Sequence, residues 1–498
     1  MRSLAVLGTG SDVGKTVIAA ALGRHAFRTG LRVAPFKAQN MANNAFVTPE
    51  GGEIGRAQAL QAEACGVVPH VDHNPILLKP ESDVRSQVVV HGRVAATLDA
   101  RAYFEGIDRF APAVRASLDR LRAAHELVIL EGAGSAAELN LDPVDLVNWG
   151  AVEAADAAVV LVADIARGGV FAQVLGTLDL LSAERRARVV GVLVNRFRGD
   201  PTLFADGVTI LERRGGVPVL GVVPWLRELD LDAEDALVRH GERPFAAHTL
   251  NVAVVLTRRM SNFTDVRALA AESDVTLRFV REPSELEAAD VVVLAGSKAT
   301  IADLEDLRAR GFVEALTAFS GPIVGLCGGF QMLGRSLDDP DGIESAGEPR
   351  SARGIGLLDV ATRFTRSKAT RQATGISRLP SAAGIVVHGY EIHCGVSTRA
   401  DAAPAFELRS PGDATARADG AISPEGRIWG TYLHGVFDAP EFRHAFLEHR
   451  RAAKGLPSQP LATSSAVTSR LSAELDRFAD HLAAHMDVPS LFDRLRAS

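Results

Sequence analysis

Residues 4–26 read LAVLGTGSDVGKTVIAAALGRHA. A short aliphatic run ends in glycine, a polar turn follows, and an alanine-rich stretch suited to a helix comes next, which is the strand–loop–helix order of a phosphate-binding loop. Gly14, Lys15 and Thr16 fall at the entry to the helix. Backbone N–H groups around Gly10, Asp12, Val13 and Gly14 then face phosphate oxygens, Lys15 neutralises charge on the β and γ phosphates, and the Thr16 hydroxyl ligates magnesium. The spacing departs from the standard signature, because Gly8 precedes Gly14 by one residue too many and Thr9 stands where the first glycine belongs.

The same rhythm continues outward. LRVAPF, ELVILEG, AAVVLVAD and RVVGVLVN alternate with Ala- and Leu-rich stretches over the first 225 residues, which predicts a doubly wound parallel sheet. A stretch of mixed charge at 226–249 precedes NVAVVL, where a second alternation begins. The chain is therefore expected to be a two-domain α/β protein: a phosphate-loop domain over 1–235, a second α/β domain over 250–445 and a helical extension over 446–498. In that extension Val467, Leu471, Leu475, Phe478 and Leu482 recur at helical spacing, a core-facing stripe to which no chemistry is assigned. Residues 38–100 form a polar region too long for an ordinary loop.

Composition narrows the partners. The chain has 498 residues and is 47% hydrophobic, more than one core accommodates. A net charge of -7 and a pI near 6.1 supply no basic field for nucleic acid or acidic membrane. No apolar run is long enough to span a bilayer, and the N-terminal one is too short for a signal sequence, so a cytoplasmic location is expected. Cys65, Cys327 and Cys394 share no short spacing, which argues against a disulfide framework or a zinc site. Only six lysines occur, at 15, 37, 79, 298, 368 and 454, against 48 arginines.

One cysteine differs from the other two. In GPIVGLCGGFQMLG (321–334), Cys327 lies between an apolar run and a helix with Gly328 and Gly329 behind it, a nucleophile elbow whose helix N-terminus favours a thiolate. Cys65 and Cys394 read as buried filler. A nucleophilic thiol needs a base, and RIWGTYLHGVFD (427–438) supplies His434 at the end of a predicted strand.

These motifs carry a resemblance. G-T-x-[ST]-x-V-G-K-T at 8–16 resembles the loop of dethiobiotin synthetase and of the cobyrinate and cobyrate amide synthetases, which use ATP to activate a carboxylate. Lys37 in PFKAQNM, Glu131 in ELVILEGAGS and Asn195 in VVGVLVNR follow in the family's order. The resemblance implies that Lys37 steadies the transferred phosphoryl group, that Glu131 holds magnesium directly or through water, and that Asn195 contacts adenine. Asp164, at a strand end where open α/β sheets bind ligands, is a further metal or substrate candidate. AELNL, ARGGVFA and RRMSNFTDV (258–266) resemble the cobyrate-type branch.

Cys327 and His434 resemble the pair of class I glutamine amidotransferases. The glutamate those enzymes carry two residues after the histidine is Val436 here, a truncation shared with the cobyrinate and cobyrate synthetases. His388, Glu391 and His393 in VHGYEIHCG are the candidates for orienting His434. By analogy with the family loop, backbone N–H groups at Gly296 and Gly328 form the oxyanion hole.

Taken together, the resemblance implies ATP- and glutamine-dependent amidation, through acyl phosphates and glutaminase-derived ammonia, of four peripheral carboxylates of adenosylcobyrinic acid a,c-diamide to give adenosylcobyric acid. The cofactors are ATP and Mg2+, with no protein-bound prosthetic group. The region 38–100, with KAQNMANNAF and EIGRAQALQAEA, is the candidate corrinoid surface. Cobyrinic acid a,c-diamide synthase is the near alternative, against which KAQNM, AELNL and ARGGVFA decide. A non-enzymatic ATP switch is the distant one, and it has no use for Cys327 and His434.

Overall fold

The strand Ser3–Gly8 sits inside a six-stranded, all-parallel sheet in a computed structural model that describes residues 3–82, 84–226, 244–345, 347–461 and 464–497. The expected end of the first domain at 235 lies outside the described residues. Across the sheet the order is Val219–Pro224, Val189–Phe197, Ala158–Asp164, Ser3–Gly8, Leu127–Glu131 and Val33–Phe36. Ser3–Gly8 and Ala158–Asp164 are buried at every position, because helices cover both faces and leave no polar side to alternate with. The doubly wound expectation holds, and the sheet adds the strand Val219–Pro224 at its edge.

The second domain repeats the plan. Val275–Val280, Leu250–Val255, Val291–Leu294, Ile323–Leu326 and Ile428–Thr431 pair in parallel in that order, and Ala421–Ile422 closes the edge antiparallel. A long antiparallel hairpin, Val360–Ser377 with Val386–Arg399, belongs to a separate sheet that also takes in Leu433–His434.

The polar region 38–100 is ordered into a four-stranded sheet (Gln39–Met41, Ile76–Pro80, Arg85–Val90, Arg93–Asp99), a small hairpin (Ala45–Val47 with Glu53–Gly55) and the helix Arg56–Ala64. Much of its polarity faces inward: Asn40, Gln58 and Gln61 are buried. The small hairpin docks on the second domain, where Ala42, Ala45, Val47, Leu77 and Val89 pack with Tyr390 and Ile392.

The helical stripe near the C-terminus is core-facing from Leu471 on, the Val467 side chain lying outside the described residues, but the core it faces is the first domain's. Leu475, Phe478 and Leu482 on the helix Ser464–His485, Met486 just after it, and Leu491, Phe492 and Leu495 on the helix Val488–Ala497 share one cluster with Leu4, Val6, Ile18 and Leu22. Arg24 and Arg28 reach across to Asp476 and Asp480 at 2.8 and 2.6 Å. Burying each large apolar side chain of that stripe is worth about 1.5–3 kcal/mol. Among the described residues no helix is long and apolar enough to cross a membrane.

Candidate functional site

Two sites form at the carboxyl ends of the two parallel sheets, where the strands hand over to loops and helix starts. In the first domain Gly14 adopts φ 100°, and a Cβ there would meet the Asn195 amide at 2.3 Å, so glycine is required both by conformation and by space. The helix Lys15–Arg28 starts immediately after it. Lys15 Nζ donates to the carbonyls of Gly10 and Gly134, each at 2.8 Å, which holds the ammonium over the loop. Asn195, the residue expected at the adenine, donates to the Val13 carbonyl at 2.8 Å and so braces the loop.

Glu131 is the hub of this site. Its Oε1 accepts from the Thr16 hydroxyl (2.7 Å) and from Lys37 Nζ (3.0 Å), and its Oε2 accepts from Gln61 (2.6 Å) and Gln58 (3.4 Å). Burial works against its charge, but Lys37, Thr16 and Gln61 overcome that and hold the carboxyl below the usual range. Thr16, Lys37 and Glu131, from three separate motifs, are thereby brought together. Gln58 and Gln61 were not expected. Both belong to EIGRAQALQAEA, and their spacing of three puts them on one helix face.

Asp164 is bonded differently. Its Oδ2 accepts from Arg196 at 2.9 Å and its Oδ1 from the Ala166 N–H at 2.8 Å, while Arg196 also donates to the Asp12 carbonyl. The carboxylate is neutralised by arginine, and these bonds leave it outside the Thr16–Glu131 cluster.

In the second domain Cys327 has φ 50° and ψ -107°, a strained conformation for a residue with a Cβ. The glycines around it are forced: a Cβ on Gly329 would meet the Leu294 carbonyl at 2.0 Å, and one on Gly325 the Phe330 backbone at 2.7 Å. A Cβ on Gly328 would lie 2.7 Å from the Ser297 nitrogen, and Gly296 pairs with Ser261 across a two-residue ladder. The backbone of 296–297 is therefore packed directly against the residue that follows the sulfur.

His434 is buried at the end of its strand, with Val436 equally buried two residues on. The carboxylate that orients it is Asp265, whose Oδ2 lies 2.7 Å from His434 Nδ1 while its Oδ1 accepts from the Gly435 N–H at 3.0 Å. The sequence left this partner open, with His388, Glu391 and His393 as candidates that spacing could not decide between, and it is none of the three. His388 is exposed, and Glu391 is bound to Arg371 and Arg417, which with His393 hold it down at about 2 despite burial. His393 stacks on Tyr432 with ring centroids 3.7 Å apart. Asp265 lies in RRMSNFTDV, a stretch that carried resemblance but no assigned chemistry.

Burial pulls the His434 imidazole down, but Asp265 and the Cys327 sulfur prevail and raise its pKa to about 10. An imidazolium is therefore kept beside the sulfur at neutral pH. In contrast, burial pushes the thiols of Cys65 and Cys394 up, consistent with inert packing roles.

Comparison with known proteins matches both halves. A family described as the CobQ/CobB/MinD/ParA nucleotide binding domain matches residues 4–238, and one described as the CobB/CobQ-like glutamine amidotransferase domain matches residues 251–442. The chain is 47% identical to a cobyric acid synthase of Chloroflexus aurantiacus, covering 99% of this chain and 98% of that one. It is 48% identical to one of Roseiflexus castenholzii (97% and 95% covered) and 47% identical to one of Sorangium cellulosum (98% of each).

Proposed function

The chain belongs to the cobyric acid synthases, glutamine-hydrolysing amide ligases of cobalamin biosynthesis, and from that premise we propose that it amidates four peripheral carboxylates of adenosylcobyrinic acid a,c-diamide to give adenosylcobyric acid. The observation that carries this reading is the presence on one chain of a Cys327–His434–Asp265 triad and a Thr16–Lys37–Glu131 cluster beside a phosphate loop.

At the triad, the Cys327 thiolate attacks the side-chain amide of glutamine, and the oxyanion is met by the Gly328 N–H and the backbone at Gly296. The His434 imidazolium gives its proton to the leaving ammonia, then takes one from the water that releases glutamate, with Asp265 holding the ring in place. Ammonia is needed because a carboxylate is a poor electrophile and ammonium no nucleophile.

At the other site, a substrate carboxylate oxygen attacks the γ-phosphorus of ATP, ADP leaves, and ammonia displaces phosphate from the resulting acyl phosphate. Lys15 and Lys37 offset charge on the moving phosphoryl group, and Asn195, through the loop it braces, borders the adenine. The oxygen donors Thr16 and Glu131 converge, as a hard cation requires, so these two rather than the arginine-bound Asp164 would hold Mg2+. The ion would supply further neutralisation of phosphate charge.

The test is mass spectrometry of products formed from a,c-diamide, ATP, magnesium and glutamine. Four successive exchanges of OH for NH2 are expected; a product series that stops short of four overturns the substrate assignment.

A further inference from the structure

Glutamine reaches Cys327 as a zwitterion, and the triad addresses only its amide end. The α-carbon lies three C–C bonds from the carbon that the sulfur attacks, and the α-ammonium one bond further, roughly 5 Å away. An enclosed site that admits the amide must also meet that charge, or leave it unpaired away from water.

A carboxylate that neither the triad nor the phosphate site uses stands close to this position. Thr300, fully buried, opens the helix Thr300–Ala309, and its Oγ1 would lie 3.2 Å from a Cβ on Gly328, the residue after the sulfur. Glu344 Oε2 accepts from the same hydroxyl at 2.8 Å and from the Thr300 N–H at 3.2 Å. Gln331, whose N–H donates to the Cys327 carbonyl, brings its Oε1 to 3.2 Å from that hydroxyl. Thr300 thus links Glu344 to the turn that carries Cys327. The loop that presents Glu344 is held firmly. Asp339, fully buried at the end of the strand Ser336–Asp339, accepts from the Ile343 N–H at 2.7 Å and from the Glu344 N–H at 2.9 Å. Gly342 has φ 64°, and a Cβ there would meet the Gly347 backbone at 2.3 Å.

Helix capping does not account for a carboxylate here. Ala299, at the cap position, offers no side-chain bond, but a neutral oxygen would serve the Thr300 N–H as well. The charge is left unmatched: among the described residues Glu344 has no ion-pair partner, and Lys298, the cation that acts on it, is itself 3.3 Å from Glu81. Burial, with Asp339, raises the Glu344 pKa to about 7 against the pull of Lys298 and Thr300. The Ser345 hydroxyl next to it is enclosed and has no hydrogen-bond partner among the described residues. An arriving ammonium would supply the missing counter-charge and three donors.

We infer that Glu344 recognises the α-ammonium of glutamine, and so selects an α-amino acid amide over amides that lack that group. The inference rests on the glutaminase reading of Cys327 and His434 made above.

Glu344→Gln keeps an oxygen for Thr300 and removes only the charge. In the full-length enzyme with ATP, magnesium and a,c-diamide, amidation is measured against glutamine concentration, with glutaramate, which is glutamine without its α-ammonium, as the competitor. The wild type is expected to hold glutamine, read as KM, about 10- to 100-fold more tightly than glutaramate, read as Ki, the worth of one charge-assisted bond. Glu344→Gln should raise the glutamine KM by that factor and leave kcat, the glutaramate Ki and ammonium-driven amidation unchanged, so that the preference collapses. A merely structural role would weaken both compounds alike. An unmoved glutamine KM, an equal weakening of glutaramate, a wild type without preference, or a fall in ammonium-driven amidation overturns the inference. Failure of the glutaminase reading shows separately, as glutamine-dependent synthesis surviving in Cys327→Ala.

Discussion

Asp265→Asn changes one oxygen to an NH2 group in a fully enclosed pair and should disable glutamine use alone. Both oxygens of Asp265 accept in the native site, one toward His434 Nδ1 at 2.7 Å and one from the Gly435 N–H at 3.0 Å. An asparagine has a single acceptor oxygen, so satisfying Gly435 turns its NH2 toward the imidazole and forces the wrong tautomer. Electrostatics act in the same direction. Burial alone takes the imidazole below its ordinary 6.5, and Asp265, with Cys327, lifts it to about 10; that interval corresponds to on the order of 5 kcal/mol. With part of it returned by relaxation, we expect glutamine-dependent kcat/KM to fall by about 10²–10³, or about 3–4 kcal/mol of barrier. The sign with pH follows from the raised pKa: the imidazolium's contribution is complete below about 6.5 and is lost as pH rises through about 10. The alkaline limb of glutamate release should therefore move to lower pH in the variant. The assay is glutamate release from pH 6 to 10, paired with ammonium-driven amidation. A loss under threefold, an unmoved alkaline limb, or an equal loss with ammonium would refute the reasoning.

Other outcomes separate the two sites and the interface between the domains. Cys327→Ala should abolish glutamine-dependent amidation and spare the ammonium-driven reaction, checked by product formation with each nitrogen source. Lys15→Ala should remove synthesis with either source, by about 10²-fold or more, while glutamate release stays measurable. Glu53→Gln leaves the buried Lys79 and the partly buried Lys368 without their shared counter-charge and should cost about 3–5 kcal/mol in denaturant unfolding. Burial opposes the Glu53 charge, but the two lysines hold the carboxyl at about 2, so its contribution is present above 4.5 and lost as pH falls toward 2. Acid titration of stability should show that loss in the wild type and not in Glu53→Gln.

What was legible in the sequence is what local geometry enforces. A strand, a glycine turn and a helix start within about a dozen residues announce Lys15 and Cys327 wherever the rest of the chain goes. Asp265 was not legible as a partner because it lies 169 residues before His434, and spacing says nothing about which loops two parallel sheets bring together. Its stretch was marked by resemblance alone, while nearer carboxylates and histidines at 388–393 drew the attention their proximity suggested. The scarce lysines were a usable signal. Lys15 and Lys37 lie at the proposed phosphate site, Lys79 pairs with Glu53 inside the first domain, and Lys298 and Lys368 of the second domain reach Glu81 and Glu53 of the first; Lys454 ties Thr249 and Asp290. The polar stretch 38–100 misled in part, because residues such as Asn40, Gln58 and Gln61 signal surface by composition and are spent on holding Glu131.

The returning helices have a consequence for how the molecule is made. Leu4, Val6, Ile18 and Leu22 leave the ribosome early, yet Leu475 to Leu495, which cover them, are synthesised after the whole glutaminase domain. At about 5–20 residues per second, the first domain waits on the order of tens of seconds with an apolar flank uncovered. Apolar surface left open in that interval is the kind that aggregates unless it is covered. For the same reason, a gene split between the domains would produce a glutaminase half ending in a ready-made docking arm for the synthetase half.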